Sequence, residues 1–235
     1  MIIHGLEKLS LVDYDGVVAA TVFTGGCNFR CPFCHNGVLV KNTKSLGVIP
    51  EKEIFDYLLK RKGIIEGVCI SGGEPTLNSD LPEFCEKIKK LGLKVKLDSN
   101  GTNPDMIKTL AENKLIDYVA MDIKNDRQNY AKIIGLDSFD TKKIEKNVDF
   151  LINGKVDYEF RTTLIYEFHK IDNIIAIGEW IQGAEKYFLQ KFKNGDNCLD
   201  AKSLTEVPEK QAFDFLNAVS QFVKHVKLRG YDLSG

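Results

Sequence analysis

Two spacings of apolar residues alternate along the chain, one typical of strands and one typical of helices. The run "VVAATVFTG" at 17–25 is apolar and rich in β-branched residues, which predicts a buried strand. In 50–63 apolar residues recur every three or four positions before a glycine, which predicts a helix. The alternation predicts further strands at 67–73, 93–101, 117–124, 156–165, 185–192 and 226–232, and further helices at 79–92, 103–113, 141–154, 172–182 and 208–225.

The repeated strand-then-helix order indicates an α/β fold with a parallel sheet and helical crossovers. There are about six such units, fewer than the eight of a closed β/α barrel. We therefore predict an incomplete parallel β/α barrel of about six strands, with a doubly wound open sheet as the alternative. The chain has 235 residues and no Pro/Gly/Ser-rich linker, so it fits a single domain over 1–235.

Polar and glycine-rich clusters follow the predicted strands. In parallel β/α folds ligands bind at the carboxyl ends of the strands, so these clusters are expected to meet at one end of the sheet. The clusters are "TGGCNFRCPFC", "SGGEPT", "LDSNGT", "MDIKND", "RTTL" and "LQKFKNGD".

Charge and composition exclude several classes of function. The formal net charge is -1, which gives no electrostatic reason to bind nucleic acid or an acidic membrane. No apolar run approaches the roughly 20 residues that span a bilayer, and the N-terminal residues lack the features of a signal peptide. We expect a cytoplasmic protein, in which six cysteines do not indicate a disulfide framework.

Three of the cysteines, Cys27, Cys31 and Cys34, are spaced C-x3-C-x2-C in a glycine-rich loop. Three reduced core cysteines so close together would be unusual. A zinc site completed by His35 would need two adjacent ligands on one ion, and no second metal-binding pair follows. A cuboidal 4Fe–4S cluster with three thiolates leaves one iron without a protein ligand, as catalytic metal sites do. The spacing favours the cluster and leaves the other two interpretations open.

"CNFRCPFC" resembles the cluster motif of radical S-adenosylmethionine enzymes, and "SGGEPT" at 71–76 resembles their Gly-Gly-Glu-Pro segment. On its own the second motif is equally typical of a turn before a helix. The resemblance implies a radical SAM type of fold, one 4Fe–4S cluster and S-adenosylmethionine. In such enzymes the open iron holds the methionine moiety, and reductive cleavage yields methionine and a 5′-deoxyadenosyl radical.

"HGLEKLSLVDYDG" and "CHN" are similar to activases of glycyl radical enzymes. With "LDSNG", "MDIK", "EFRTTL" and "YFLQKF", nearly the whole chain resembles the activating proteins of anaerobic ribonucleoside-triphosphate reductase. The resemblance implies hydrogen abstraction from a backbone glycine of a partner, here a class III ribonucleotide reductase. The other three cysteines are too dispersed for a second cluster, so the electron is expected from an outside flavodoxin or ferredoxin.

The resemblance also implies roles for individual residues. Gly72 and Gly73 would approach the ligand closely, and Glu74 would accept from its ammonium group. Lys124 would pair with the methionine carboxylate. The full set of residues expected around S-adenosylmethionine is Phe33, Gly72, Gly73, Glu74, Asp98, Asp122, Lys124, Arg161 and Gln190.

A monovalent cation held by Asp98 and Asp122 is a further expectation from the resemblance. Asp122 is also expected to take a ribose hydroxyl. For each of these two residues the alternative is an ordinary charge at a strand end, and for Phe33 it is an anchor of the loop. His169 is expected to be structural or exposed, Cys69 and Cys85 to be buried without a ligand role, and Cys198 is unassigned.

Two other functions stay open at this point. A radical S-adenosylmethionine enzyme with a single cluster could act on a small metabolite or on another peptide. A non-catalytic metal or electron-transfer module would hold a metal centre but would not cleave S-adenosylmethionine.

Overall fold

The computed structural model describes residues 1–41 and 43–231. The strands are β1 Ile3–Ser10, β2 Ala19–Thr24, β3 Gly67–Gly72, β4 Lys94–Ser99, β5 Tyr118–Asp122, β6 Asp157–Leu164, β7 Lys186–Lys191 and β8 His225–Arg229. The α-helices are α1 Gly37–Lys41, α2 Glu51–Lys60, α3 Leu81–Lys90, α4 Pro104–Glu112, α5 Tyr130–Ile133, α6 Lys142–Asn153, α7 Ile171–Trp180 and α8 Glu209–Val219. Short 3-10 turns cover Thr43–Ser45 and Pro75–Leu77.

The strands of the sheet follow the order of the chain, from β1 to β8. This order confirms the open, mostly parallel β/α barrel and argues against a doubly wound sheet, whose strand order reverses at a switch point. The barrel was predicted with about six strands, whereas the described residues form eight, namely the seven individually predicted strands and β1. The additional strand β1 pairs antiparallel with β2, and only its two end residues, Ile3 and Ser10, are buried. The other six residues of β1 are partly or fully exposed, so the strand carries no apolar run in the sequence.

The chain divides into two compact units, and the single domain over 1–235 remains a prediction. The first unit comprises Met1–Asn28, Val38–Ala120 and Lys155–Asp157. In it β2, β3 and β4 pair in parallel, with Val22 beside Ile70 and Ile70 beside Leu97. These side chains are fully buried. Helices α2, α3 and α4 each bury one apolar stripe.

The second unit comprises Phe29–Gly37, Met121–Gly154 and Tyr158–Gly235. In it β6, β7 and β8 pair in parallel, with Phe160 beside Tyr187 and Tyr187 beside Val226. Thr162 and Tyr187 share a buried hydrogen bond of 2.6 Å between their hydroxyl groups. Among the described residues, none of the helices has the length and hydropathy that crossing a bilayer requires.

Candidate active site

In the first unit, two glycine-rich loops follow β2 and β3 and lie against each other. The Gly73 amide donates to the Thr24 carbonyl at 2.9 Å, and the Glu74 amide donates to the Gly26 carbonyl at 2.8 Å. A Cβ added to Gly73 would lie 1.9 Å from the Gly26 carbonyl oxygen, and Gly72 has a φ of +123°. Both positions therefore require glycine, because the two backbones touch where a side chain would begin.

Glu74 is buried, and its carboxylate joins its own loop to the segment at the end of β4. Its carboxylate accepts from the amide of Thr76 at 3.1 Å, the hydroxyl of Ser99 at 2.9 Å and the amide of Asn100 at 2.6 Å. Burial raises its pKa, although these hydrogen bonds act in the opposite direction. Both oxygens accept from protein donors, so the structure gives Glu74 the task of shaping the loops. Its direct contact with a ligand ammonium stays a prediction.

Cys27 lies at the end of the first glycine loop, beside residues that follow β4. The side-chain amide of Asn100 lies 3.8 Å from the Cys27 sulfur and donates to the Asn28 side chain at 2.8 Å. Asn28 donates in turn to the Thr102 hydroxyl at 2.9 Å. An amide donor beside a thiolate stabilises its charge. Asn100 lies in the segment "LDSNGT", but no role was predicted for it.

Asp98 is the other predicted residue of this unit, near the carboxyl end of β4. One carboxylate oxygen accepts from the Ser71 hydroxyl at 3.0 Å, and the other lies 3.4 Å from the ammonium of Lys96. Asp98 is therefore adjacent to the glycine loop after β3. The side chain of Lys96, on the same strand, is almost completely buried.

In the second unit, Cys31, Phe33 and Cys34 form a tight loop in which the Cys34 amide donates to the Cys31 carbonyl at 3.1 Å. Cys31 and Phe33 are buried, and the Lys124 ammonium lies 5.8 Å from the centre of the Phe33 ring. Burial raises the pKa of the Cys34 thiol, while Lys124 favours its thiolate. Phe33 and Lys124, which sequence analysis placed at the same ligand, are thus neighbours.

Asp122, Lys124 and Arg161 form a buried ion-pair network. The two oxygens of Asp122 accept from Arg161 Nε at 3.0 Å and from Lys124 Nζ at 2.9 Å. Burial works against the charged carboxylate, but Arg161 and Lys124 outweigh it and hold the pKa of Asp122 below its usual value. Asp122 in turn holds the pKa of Lys124 above its usual value despite burial. Asp122, Lys124 and Arg161 were all predicted to surround S-adenosylmethionine, and the structure brings them together as charged groups.

Gln190 lies on β7, opposite Thr163 of β6, with a side-chain contact of 3.5 Å to its hydroxyl. Its role toward a ligand remains a prediction.

His169 supports the backbone of Lys124, although it was expected only to be structural or exposed. His169 is fully buried, and its Nε2 lies 3.0 Å from the Lys124 carbonyl oxygen.

A segment after β7 is paired with the cysteine loop of the same unit; it begins within the predicted cluster "LQKFKNGD", but the pairing involves residues after that cluster. The amides of Leu199 and Asp200 donate to the carbonyls of Cys34 at 3.1 Å and Pro32 at 2.8 Å. The Gly37 amide donates to the Asn197 carbonyl at 3.3 Å. The Cys198 sulfur lies 3.7 Å from His35 Nδ1. This segment, 193–204, is called the clasp below.

The cysteine side chains suit an iron–sulfur cluster better than a single ion. Within residues 1–41 and 43–231, no three His, Cys, Asp or Glu side chains are grouped to hold one metal ion. In a cuboidal cluster the three thiolates bind three different irons, so this observation does not bear on a cluster. Thiolates are the usual ligands of such clusters. In the first unit the Asn100 side-chain amide lies beside the Cys27 sulfur, and in the second unit Lys124 favours the Cys34 thiolate.

Comparison with known proteins decides the family. The model of the radical SAM superfamily matches residues 21–173, more than half of the chain. This chain belongs to the radical SAM superfamily. Radical SAM membership makes the protein an enzyme with a 4Fe–4S cluster and S-adenosylmethionine as cofactors, and it replaces the zinc interpretation of the cysteines.

Its curated relatives include activating enzymes. A candidate glycyl-radical enzyme activating enzyme of Methanocaldococcus jannaschii is 31% identical over 97% of this chain and 95% of its own length. The pyruvate formate-lyase-activating enzyme of Listeria monocytogenes is 34% identical, over 52% of each chain. A candidate GTP 3′,8-cyclase of Sulfurisphaera tokodaii is 28% identical over 87% of this chain and 66% of its own. The first of these matches places this radical SAM enzyme in the family of glycyl-radical enzyme activating enzymes.

Solved structures show the same fold. Streptococcus suis SuiB bound to S-adenosylmethionine has a TM-score of 0.69 at 14% identity, covering 88% of this radical SAM chain and 49% of its own. A domain of a pyruvate-formate lyase-activating enzyme from Bacteroides vulgatus has a TM-score of 0.57 at 16% identity, covering 70% and 99%. At these identities the likeness concerns the fold alone.

Proposed function

We propose that this enzyme activates a glycyl radical enzyme by removing a hydrogen atom from the α-carbon of one backbone glycine. The observation that carries the proposal is the full-length similarity to the Methanocaldococcus jannaschii protein, whose name gives it this class of activity. The three-cysteine motif without a further cysteine pair supports an activase that holds one cluster.

The chain's own residues hold and orient the cofactors. Cys27, Cys31 and Cys34 would bind the cluster, which together with bound S-adenosylmethionine supplies a 5′-deoxyadenosyl radical. Lys124 offers a buried ammonium to the methionine carboxylate, and Gly72 and Gly73 offer backbone at close range. Phe33, Asp98, Asp122, Arg161 and Gln190 complete the proposed binding set. Radical abstraction requires no general base, so positioning and the exclusion of water are the main tasks of these residues.

The partner that we propose is a class III, anaerobic ribonucleoside-triphosphate reductase. It is supported by the similarity of the quoted segments throughout the chain to activating proteins of that reductase. Because pyruvate formate-lyase-activating enzymes are also among the relatives of this chain, pyruvate formate-lyase is the control partner. The electron would come from a flavodoxin or ferredoxin, and the reaction would take place in the cytoplasm.

Electron paramagnetic resonance tests this proposal. The reconstituted protein is mixed anaerobically with S-adenosylmethionine, dithionite and the reductase, and in parallel with a reductase whose radical glycine is replaced by alanine. We expect a glycyl doublet with the first reductase and none with the second. No doublet on the reductase, together with a doublet on pyruvate formate-lyase, would reject the proposed partner.

The second candidate is a radical SAM enzyme that acts on a small metabolite. The similarity to a candidate GTP 3′,8-cyclase over most of the chain is the observation that favours it. Formation of 5′-deoxyadenosine without a doublet on either protein partner would support this candidate and reject the activase.

A further inference from the structure

The two acidic residues expected to hold a monovalent cation are each neutralised by cationic side chains of their own unit. In the second unit, the two carboxylate oxygens of Asp122 accept from Lys124 and Arg161. In the first unit, Asp98 receives the Ser71 hydroxyl on one oxygen and faces the Lys96 ammonium with the other. The residues present do not fit a bound cation, because positive charges already stand beside both carboxylates.

Lys96 is a buried charged residue that is not among the residues proposed to bind S-adenosylmethionine. It lies two residues before Asp98, so both side chains project from the same face of β4. Its side chain is 6% exposed, against 18% for Asp98. A lysine ammonium is rarely buried to this extent unless it is paired.

The Lys96 ammonium is held in place from a second direction. It donates a hydrogen bond to the backbone carbonyl of Asp13, in the turn between β1 and β2. Hydrogen bonds of Asp13 hold that turn in place. The Asp13 amide donates to the Ser10 hydroxyl at 3.1 Å, and the Asp13 carboxylate accepts from the Thr21 hydroxyl at 2.6 Å. The ammonium therefore sits between a fixed carbonyl and the Asp98 carboxylate, which are ligands that a monovalent cation would use.

We propose that Lys96 is a built-in cation beside Asp98, and that this enzyme binds S-adenosylmethionine without Na⁺ or K⁺. An ammonium group carries the same charge as these ions and binds the same oxygen ligands. A metal ion entering beside it would meet a like charge in a poorly solvated place. The inference rests on the proposed place of Asp98 at the S-adenosylmethionine site, but it does not depend on the identity of the partner.

The first test uses the unmodified enzyme. The affinity of the reconstituted protein for S-adenosylmethionine is measured in KCl, in NaCl and in tetramethylammonium chloride at equal ionic strength, since tetramethylammonium is too large for such a site. We expect affinities that agree within about twofold. A loss of tenfold or more in tetramethylammonium would overturn the proposal.

The second test removes the ammonium in Lys96→Met, with Lys94→Met as the matched control. Lys94 lies on the same face of β4 but is exposed. We expect Lys96→Met to bind S-adenosylmethionine at least tenfold more weakly in tetramethylammonium and to regain most of that affinity in KCl or NaCl. The melting temperature of its apoprotein should rise in KCl or NaCl, whereas that of Lys94→Met should not change.

Each outcome of the second test decides the proposal. A Lys96→Met protein that loses no affinity, or one whose loss neither cation restores, would overturn it. If this variant does not fold, the measurement on the unmodified enzyme decides alone. Absence of a glycyl doublet would reject the proposed partner reaction while leaving both binding measurements interpretable, so the two failures are distinguishable.

Discussion

The buried imidazole of His169 illustrates how single residues prepare the site. Its Nδ1 accepts from the Ile165 amide at 2.9 Å, so its Nε2 carries the proton and donates to the Lys124 carbonyl. Burial lowers the pKa of His169 to about 4, although Asp126 and the backbone carbonyls of Lys124 and Ile165 favour the charged form. A neutral imidazole thus fixes the backbone of Lys124, whose side chain we assign to the ligand.

This pKa predicts how stability depends on pH. The unfolded histidine binds a proton near its ordinary pKa of 6.5, whereas the folded one does so only near 4. The unfolded state therefore binds more protons between these values, and stability falls as the pH falls through that window. From about pH 7.5 to about pH 5 the expected loss from His169 is about 2 kcal/mol.

Urea denaturation of the apoprotein at the two pH values checks this prediction. In His169→Gln the free energy of unfolding should lose about 2 kcal/mol less between them than in the unmodified protein. His225→Gln is the control, because His225 is largely exposed. Equal pH dependence in all three proteins would show that His169 is not held neutral.

The residues that belong to a motif were predictable from the sequence. The residues that contact and support them were not. The three cysteines and the glycines of "SGGEP" are fixed by type and spacing, which are visible in the sequence. Lys96 contacts a carbonyl 83 positions away, and Asn100 contacts a cysteine 73 positions away. No local pattern reports such pairings, because they exist only once the strands are adjacent.

At the scale of elements, the clasp at 193–204 lies beside the cysteine loop but belongs to no helix or strand. The Asn194 side-chain amide donates to the carbonyls of Ala201 at 2.9 Å and Leu204 at 3.1 Å, which closes the segment on itself. A Cβ added to Gly37 would lie 2.9 Å from the Asn197 carbonyl oxygen. Gly37 therefore allows the clasp to lie directly on the cysteine loop.

The Gly37→Ala substitution should loosen the clasp. Relief of the close contact is expected to cost about 1–3 kcal/mol. Trypsin should then cut the native apoprotein several-fold faster after Lys193 or Lys202, which are exposed. Gly195→Ala is the control, since a Cβ there meets no atom within 4 Å. Equal cleavage rates in the two variants would mean that the clasp does not depend on this contact.

The predictability of elements followed their burial. The parallel strands β2 to β7 and the long helices each carry a buried apolar run or stripe, and the structure confirms those predicted; β8, predicted at 226–232, has one buried residue, Leu228, and position 232 lies outside the described residues. The edge strand β1 and the short helices α1 and α5 were missed, because α1 and α5 have only five and four residues and too few apolar positions to show a period. The part of the clasp after residue 196 was not predicted, because backbone pairing leaves no trace in the pattern of side chains.

At the scale of the molecule, the order of the strands explains why polar clusters that are far apart in the sequence meet within each unit. In the first unit, "SGGEPT" and "LDSNGT" follow the parallel strands β3 and β4 and are joined by Glu74. In the second unit, Asp122 at the end of β5 meets Arg161 of β6. The sequence indicated both groups, because parallel strands bring their carboxyl ends to one edge. It did not indicate how fully each carboxylate would be neutralised by neighbouring side chains.

Formation of 5′-deoxyadenosine tests the central claim most directly. The unmodified protein, Cys34→Ala and the buried-cysteine control Cys85→Ala are reconstituted anaerobically, reduced with dithionite and supplied with S-adenosylmethionine. We predict 5′-deoxyadenosine from the unmodified protein and from Cys85→Ala, and none above background from Cys34→Ala. Equal loss in both variants, or no 5′-deoxyadenosine from an unmodified protein that holds a complete cluster, would contradict the assignment of the three cysteines to a cluster that cleaves S-adenosylmethionine.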